Sequence, residues 1–195
     1  MRRCLILLAL LSSLAVAQNA QPNPFDAVVQ QKFASGGTVR LHLDSGAYTI
    51  KPTDSDAIVV TYSTEWKGSN TRDVNVEVRP KALNADIYVR NTPHNFRATI
   101  EIPRRSNLWA RMTAGELDIG NVEGDKNIEM WAGELEIAIP HPEDYGHRDA
   151  SVLAGSLEAS AFNISKGGLF RSFHEQGPGK YRLHAHVTTG EIAVR

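Results

Sequence analysis

Residues 110–119 read ARMTAGELDI, and residues 128–137 read IEMWAGELEI. The same arrangement, with apolar residues at alternate positions on both sides of a glycine, occurs five times in the chain. The central glycines are Gly46, Gly115, Gly133, Gly155 and Gly190. Gly115 and Gly133 are 18 residues apart, and Gly133 and Gly155 are 22 apart. A repeat of this length is typical of proteins that are built from stacked structural units.

The apolar residues around each glycine predict a bend. Within residues 108–112 the alternation Leu-Trp-Ala-Arg-Met is typical of a strand with one buried face, so Trp109 and Arg111 are expected to point outward. The inward positions lie three and five residues before the glycine but two and four residues after it. A straight strand cannot change parity in this way, because its side chains alternate strictly between two faces. We therefore predict a corner at each of the five glycines, where positive φ is accessible.

The repeats predict one all-β domain over residues 38–195. One repeat buries too little apolar surface to be stable alone, so its strands must pair with those of its neighbours. The favoured architecture is a right-handed β-solenoid of about 18–22 residues per repeat. The alternative is a β-sandwich, which short strands with regular turns also fit. Stacking would make Arg111 and Glu129 neighbours, since both lie four residues before a glycine.

The first residues are typical of an export signal. Arg2 and Arg3 precede an apolar stretch over residues 4–16, and Ala15-Val16-Ala17 matches a signal peptidase site. We predict that residues 1–17 are a signal peptide and that the protein is periplasmic or extracellular. Residues 18–37 form a lead-in segment that is either a short helix or an edge strand. No later stretch is apolar for long enough to span a bilayer as a helix.

Composition excludes several classes of function. Cleavage after Ala17 removes Cys4, the only cysteine, so the mature chain has no disulfide and no cysteine metal site. It also removes two of the 21 basic residues, which leaves 19 against 22 acidic ones and lowers the formal charge from −1 to −3. A nucleic-acid-binding domain would need a strongly basic face. We predict no nucleic-acid partner.

Several segments together resemble a known family. They are Thr99–Pro103, Asn107–Ile119 and the glycine repeats through Val194. Over residues 38–195 the chain resembles the bacterial "putative adhesin" domain, a family of exported β-solenoid proteins of unknown function. The resemblance implies a solenoid fold and surface adhesion, and it carries over no catalytic or binding residues.

Two sets of side chains are candidate metal ligands. His184 and His186 alternate on one predicted strand, a spacing that can hold a metal ion if a third ligand is close. The positions one and three residues after the glycines are rich in acids and would stack on one outer face. Such columns suit a divalent cation or a basic partner, although a solvated face that aids solubility is the simpler interpretation. The acidic candidates are Glu116, Asp118, Glu134, Glu136 and Glu158, and Glu191 continues the column.

The remaining candidate is an apolar contact. Two residues before their glycines, Trp131 and Leu153 are predicted to point outward, and exposed apolar streaks sometimes mark contacts with a glycan or a protein. A covering segment that contains Leu169, Phe170 and Phe173 is the alternative. The sequence contains no nucleophile, phosphate-loop or zinc-helix motif. The predicted function is therefore an exported, non-enzymatic binding, adhesion or structural module of the cell envelope, without a cofactor. The alternative is an enzyme that acts on polysaccharides from a β-helix scaffold.

Overall fold

The computed structural model describes residues 27–64 and 73–195, so the predicted signal peptide at residues 1–17 lies outside the described residues. Strands dominate the described chain, with short 3-10 turns at Pro142–Asp144 and Ser160–Phe162. Among these residues no helix has the length and apolarity needed to cross a membrane. The strands are β1 (Ala27–Lys32), β2 (Thr38–Leu43), β3 (Gly46–Thr53), β4 (Ala57–Thr64), β5 (Asn75–Lys81), β6 (Asn84–Arg90), β7 (Phe96–Pro103), β8 (Asn107–Ile119), β9 (Lys126–Ile137), β10 (Tyr145–Ala159), β11 (Ile164–Gln176) and β12 (Tyr181–Val194).

All described strands belong to one mixed sheet. Its main path is β1-β4-β7-β3-β8-β9-β12-β10-β11, and a branch, β5-β6-β2, joins the first half of β8. The centre, from β8 to β10, is parallel, whereas β11 runs antiparallel to β10 at one edge. At the other edge β1 pairs antiparallel with β4, so the lead-in segment contributes an edge strand and no helix over Ala27–Lys32.

The predicted β-solenoid is wrong. In a solenoid, successive repeats stack in chain order, but here β12 lies between β9 and β10, which separates two consecutive strands. Four strand pairs among the described residues are antiparallel, and the sheet does not close, since β1 and β11 are both edge strands. The repeat specifies which residues align across the sheet, but it does not specify which strand lies beside which.

The repeat glycines lie in one row across the sheet, in the order Gly46, Gly115, Gly133, Gly190 and Gly155. At Gly115 and Gly133 φ is +120° and +123°, and an added Cβ would overlap the carbonyl oxygen of the preceding glycine in the row. Gly115 and Gly133 thus exclude side chains on both conformational and steric grounds. Gly190 and Gly155 also have positive φ, but Gly46 does not. At Gly46 the change of direction occurs at residues 44–45, which separate β2 from β3.

The bend gives the sheet two layers around one core. Met112 before the glycine and Leu117 after it are both buried, as are Ala110 and Ile119. The half of β8 before Gly115 pairs with β2, and the half after it pairs with β3, so the two branches separate at this row. Their outer strands, β5 and β1, meet at the far side. The β-sandwich alternative is closer to this arrangement than the solenoid is.

The candidate binding site

The bend also creates two different outer surfaces. We call the first the aromatic face; it lies on the strand halves before the glycine row and includes His42, Tyr88, Trp109, Arg111 and Trp131. We call the second the acidic face; it lies after the row and includes Glu116, Asp118, Glu134, Glu136, Glu158 and Glu191. Strand alternation places both sets outward, because the residues between them are in the core.

Rings and guanidinium groups stack across the aromatic face. The His42 imidazole is parallel to the Tyr88 ring, with centroids 4.5 Å apart, and it lies 5.2 Å from the Trp109 ring. The Arg111 Cζ atom is 4.8 Å from the centroid of Trp109, and Arg90 Cζ is 4.5 Å from that of Tyr88. Arginine above an aromatic ring is attracted by the ring quadrupole. These contacts hold planar groups in fixed positions at the surface.

Burial lowers the pKa of His42 below its usual 6.5, and the positive charges of Arg90, Arg111 and Arg40 add to this effect. Asp86 acts in the opposite direction, with its Oδ1 atom 3.9 Å from His42 Nε2. At neutral pH the imidazole is therefore uncharged. An uncharged ring is the form that stacks on Tyr88 with the least desolvation cost.

Three polar pairs cross the strands of the same face. Arg111 Nε lies 3.1 Å from Glu129 Oε2, which confirms the predicted neighbours. Two further pairs join β10 to β12, and they occupy both histidines of the predicted metal site. His184 Nδ1 lies 3.5 Å from Asp149 Oδ2, and His186 Nδ1 lies 2.8 Å from Ser151 Oγ.

The row just before the glycines carries an exposed apolar ridge. Trp131 is 69% exposed, Leu153 43% and Phe170 74%. The interposed β12 puts Thr188 between Trp131 and Leu153, so these two are not direct neighbours as the sequence predicted. The predicted cover is also absent from the described chain, because Phe173 enters the core while Leu169 and Phe170 remain exposed on edge strand β11.

Trp131 stands between two surface grooves. The groove toward β2 has a volume of about 340 Å³ and is lined by His42, Asp44, Arg90 and Arg111. The groove toward β12 has a volume of about 220 Å³ and is lined by Arg111, Glu129, His186 and Thr188. Arg111 and Trp131 line both grooves. A ligand in either groove would contact an indole ring and a guanidinium group together.

On the acidic face the stacking order differs from the predicted order. Glu116, Glu134 and Glu191 are consecutive across β8, β9 and β12, while Ser156 follows on β10. In the second column Asp118 and Glu136 are adjacent, and Ala193 separates them from Glu158. Arg195 Nη1 lies 2.9 Å from Glu136 Oε1. Over residues 27–64 and 73–195 no three His, Cys, Asp or Glu side chains are grouped closely enough to hold a metal ion.

The sequence analysis missed two members of the aromatic face, His42 and Tyr88. Both lie between buried residues, His42 between Leu41 and Leu43 and Tyr88 between Ile87 and Val89, so alternation alone places them outward. Their contact required the pairing of β2 with β6, which has no marker in the repeat. The sequence analysis also missed Lys126, which is buried at the start of β9. Its Nζ atom donates a hydrogen bond of 2.6 Å to the carbonyl of Val122.

The chain is similar to several solved structures of bacterial proteins. A structure from Clostridium sporogenes, described as a "putative cell adhesion protein", matches 87% of this chain and 98% of its own, with 12% identity and a TM-score of 0.50. A "putative adhesin" from Bacteroides fragilis matches 89% and 99% with 9% identity and a TM-score of 0.31. A "putative lipid binding protein" from Parabacteroides distasonis matches 89% and 98% with 10% identity and a TM-score of 0.29.

The description of the Clostridium structure agrees with the family resemblance of the sequence. At 12% identity, the Clostridium match shows a shared fold alone. No family model matches the chain, and no curated protein matches it.

Proposed function

We propose that the protein is an exported binding or adhesion module of the bacterial cell envelope, and that its partner contacts the aromatic face around Trp131. The observation that carries the proposal is the exposure of Trp131 between two grooves that share Arg111. Tryptophan, tyrosine and arginine dominate the binding energy of protein contact surfaces. All three residue types occur on the aromatic face, on neighbouring strands.

The aromatic face is built for binding with little rearrangement. Its side chains extend from the strands of the sheet and not from loops. The ring stacks and ion pairs described above restrict the rotamers of four of them, His42, Tyr88, Trp109 and Arg111. Fewer side-chain rotamers then become ordered on association, so less of the interaction energy is lost to conformational entropy. The contact surface is therefore largely organised before the partner arrives.

Binding without turnover fits the polar groups of this face better than catalysis does. Hydrolysis of a glycosidic bond uses a pair of carboxyl groups set across the scissile bond. On the aromatic face Glu129 is paired with Arg111, and Asp149 is paired with His184. We propose that these carboxylates fix the positions of their partners and do not act on a substrate.

The proposal is tested with the purified protein immobilised on beads and exposed to cell-envelope fractions of its host. Captured material is identified, purified and titrated back against the protein by calorimetry. We expect Trp131→Ala to weaken this binding at least tenfold. Leu83→Ala, which truncates another exposed apolar side chain in the turn between β5 and β6, is the matched control and should bind as the unmodified protein does. Equal binding by the Trp131 and Leu83 variants would contradict the proposal.

A further inference from the structure

A third hollow lies on the same surface, where the parallel strands β8, β9, β12 and β10 begin. It has a volume of about 430 Å³, larger than either groove beside Trp131. Its lining includes Trp109, Asn127, Asp149, Arg182 and His184. Small-molecule sites in proteins have volumes of about 300 to 1,000 Å³. We call this hollow the strand-start cleft.

The charges of the strand-start cleft nearly balance. Asp125 and Asp149 are its acids and Arg182 is its exposed base, and His147 and His184 complete its titratable lining. Lys126 borders the cleft, but its ammonium group is buried in the core. A site for a phosphate or another anion would carry a clear excess of donors and positive charge. A cation site would carry a cluster of acidic ligands, and none is present in the described chain. The lining therefore favours an uncharged, polar ligand.

The polar groups of the cleft fall into two sets. Some fix its walls: Asp125 Oδ1 accepts a hydrogen bond of 2.9 Å from the backbone N–H of Arg182, and Asn107 Oδ1 accepts one of 3.0 Å from that of Asp125. Others remain available. Within residues 27–64 and 73–195 neither the Asn127 amide nor the Arg182 guanidinium has a hydrogen-bond or ion-pair partner. An amide both donates and accepts, and a guanidinium donates.

We propose that the strand-start cleft binds one residue of a neutral saccharide. A sugar ring presents an apolar C–H face, which suits the Trp109 ring, and a rim of hydroxyl groups that both donate and accept hydrogen bonds. The side chains of Asn127 and Arg182 have no other hydrogen-bond partner in the described chain and can bond to these hydroxyls. The His184–Asp149 pair adds one further donor and one further acceptor. This inference rests on the proposed binding function and adds the class of ligand.

The cleft and the Trp131 grooves belong to one continuous surface. Trp109 and Thr113 are on the same strand, and Thr113 lies opposite Trp131 on β9. Four residues of strand span about 13 Å at about 3.3 Å per residue. A glycan chain of several residues, with one residue in the cleft, is therefore able to extend past Arg111 toward Trp131.

The experiment is saturation-transfer-difference NMR on the full chain with maltose, cellobiose and N,N′-diacetylchitobiose as neutral probes, and with hyaluronan disaccharide as the anionic probe. We expect at least one neutral probe to bind. Trp109→Ala and Asn127→Ala should each weaken that binding about tenfold or more. Leu83→Ala, which truncates an exposed side chain that does not line the cleft, should leave it unchanged. Asn127 is exposed, so its variant is expected to fold even if the loss of Trp109, which contacts His42 and Arg111, disturbs the sheet.

The outcomes of this experiment distinguish the saccharide proposal from the binding function on which it rests. Binding of no neutral probe, binding of the anionic probe alone, or neutral binding that survives Asn127→Ala overturns the saccharide assignment. If envelope material is still captured through Trp131 in that case, the binding function stands and only the ligand class is wrong. If neither the probes nor envelope material binds, both proposals are wrong.

Discussion

The Nζ atom of Lys126 donates a hydrogen bond to the phenol oxygen of Tyr145 inside the core. Lys126 is only 1% exposed, and it also donates to the carbonyl of Val122 at 2.6 Å. Lys126 begins β9 and Tyr145 begins β10, so the pair closes the core where these strands start. The ammonium group thus satisfies a backbone carbonyl that water does not reach.

This pair predicts a stability that increases with pH above neutrality. Burial lowers the pKa of Lys126 from 10.5 to about 8, against the opposing effect of Asp125 and Glu123. Between these two values the unfolded chain binds a proton that the folded chain has released, so the free energy of unfolding rises with pH over about 8 to 10.5. The full rise is about 3 to 4 kcal/mol, at about 1.4 kcal/mol per pKa unit. Urea unfolding at successive pH values measures it.

One variant separates Lys126 from other titrating groups. Lys126→Met should lack the rise above pH 8, because methionine has no group that titrates there. Burial raises the pKa of Tyr145, so this group opposes the rise only above its usual pKa of about 10. A rise of equal size in the Lys126→Met protein would contradict the assignment.

The glycine row predicts a large cost for a single methyl group. Gly133→Ala should lower the free energy of unfolding by more than about 2 kcal/mol, because it adds an overlap with the Gly115 carbonyl to the left-handed penalty of about 1 to 2 kcal/mol. Gly36 is the matched control: φ is +87°, but an added Cβ meets nothing within 4 Å. Gly36→Ala should therefore show the conformational cost alone. Equal losses in thermal unfolding would mean that close approach plays no part.

The sequence predicts local geometry better than it predicts topology. Alternation and the parity change locate Met112 and Leu117 inward, and they align Arg111 with Glu129, because side-chain direction depends on residues close in the chain. The position of β12 between β9 and β10 depends instead on pairing between strands that are distant in the sequence. The residues of the repeat are alike in every strand, so they do not specify this pairing. For the same reason the sequence predicts Trp131 as exposed but not the His42–Tyr88 stack, which requires β2 to pair with β6.

The acidic face predicts a stability that depends on salt. Glu134 lies between Glu116 and Glu191 on neighbouring strands, and each like-charge pair costs about 1 kcal/mol in water at short range. Glu134→Gln removes both pairs and should raise the free energy of unfolding by up to about 2 kcal/mol at low salt. About 1 M NaCl should remove this gain by screening. Glu143→Gln, in the turn before β10, is the control and should show no such gain.

The cation hypothesis is tested by adding calcium to the same proteins. It would be supported if calcium raised the melting temperature of the unmodified protein but not that of Glu134→Gln.

The environment of His42 predicts opposite effects of two neighbouring charges. The cationic Arg90 helps to keep the His42 pKa low, whereas Asp86 raises it. Arg90→Gln should therefore move the His42 titration midpoint up toward 6.5, and Asp86→Asn should move it further down. The midpoint is measured from the imidazole Cε1 proton by NMR, with His94, outside the aromatic face, as an internal reference. If the Arg90 and Asp86 variants shift the midpoint in the same direction, the electrostatic description of the aromatic face is wrong.

A Tyr88→Leu variant separates the effect of charge from the effect of burial. Loss of the stacked ring should expose His42 and raise its titration midpoint, because burial is the largest cause of the lowered pKa.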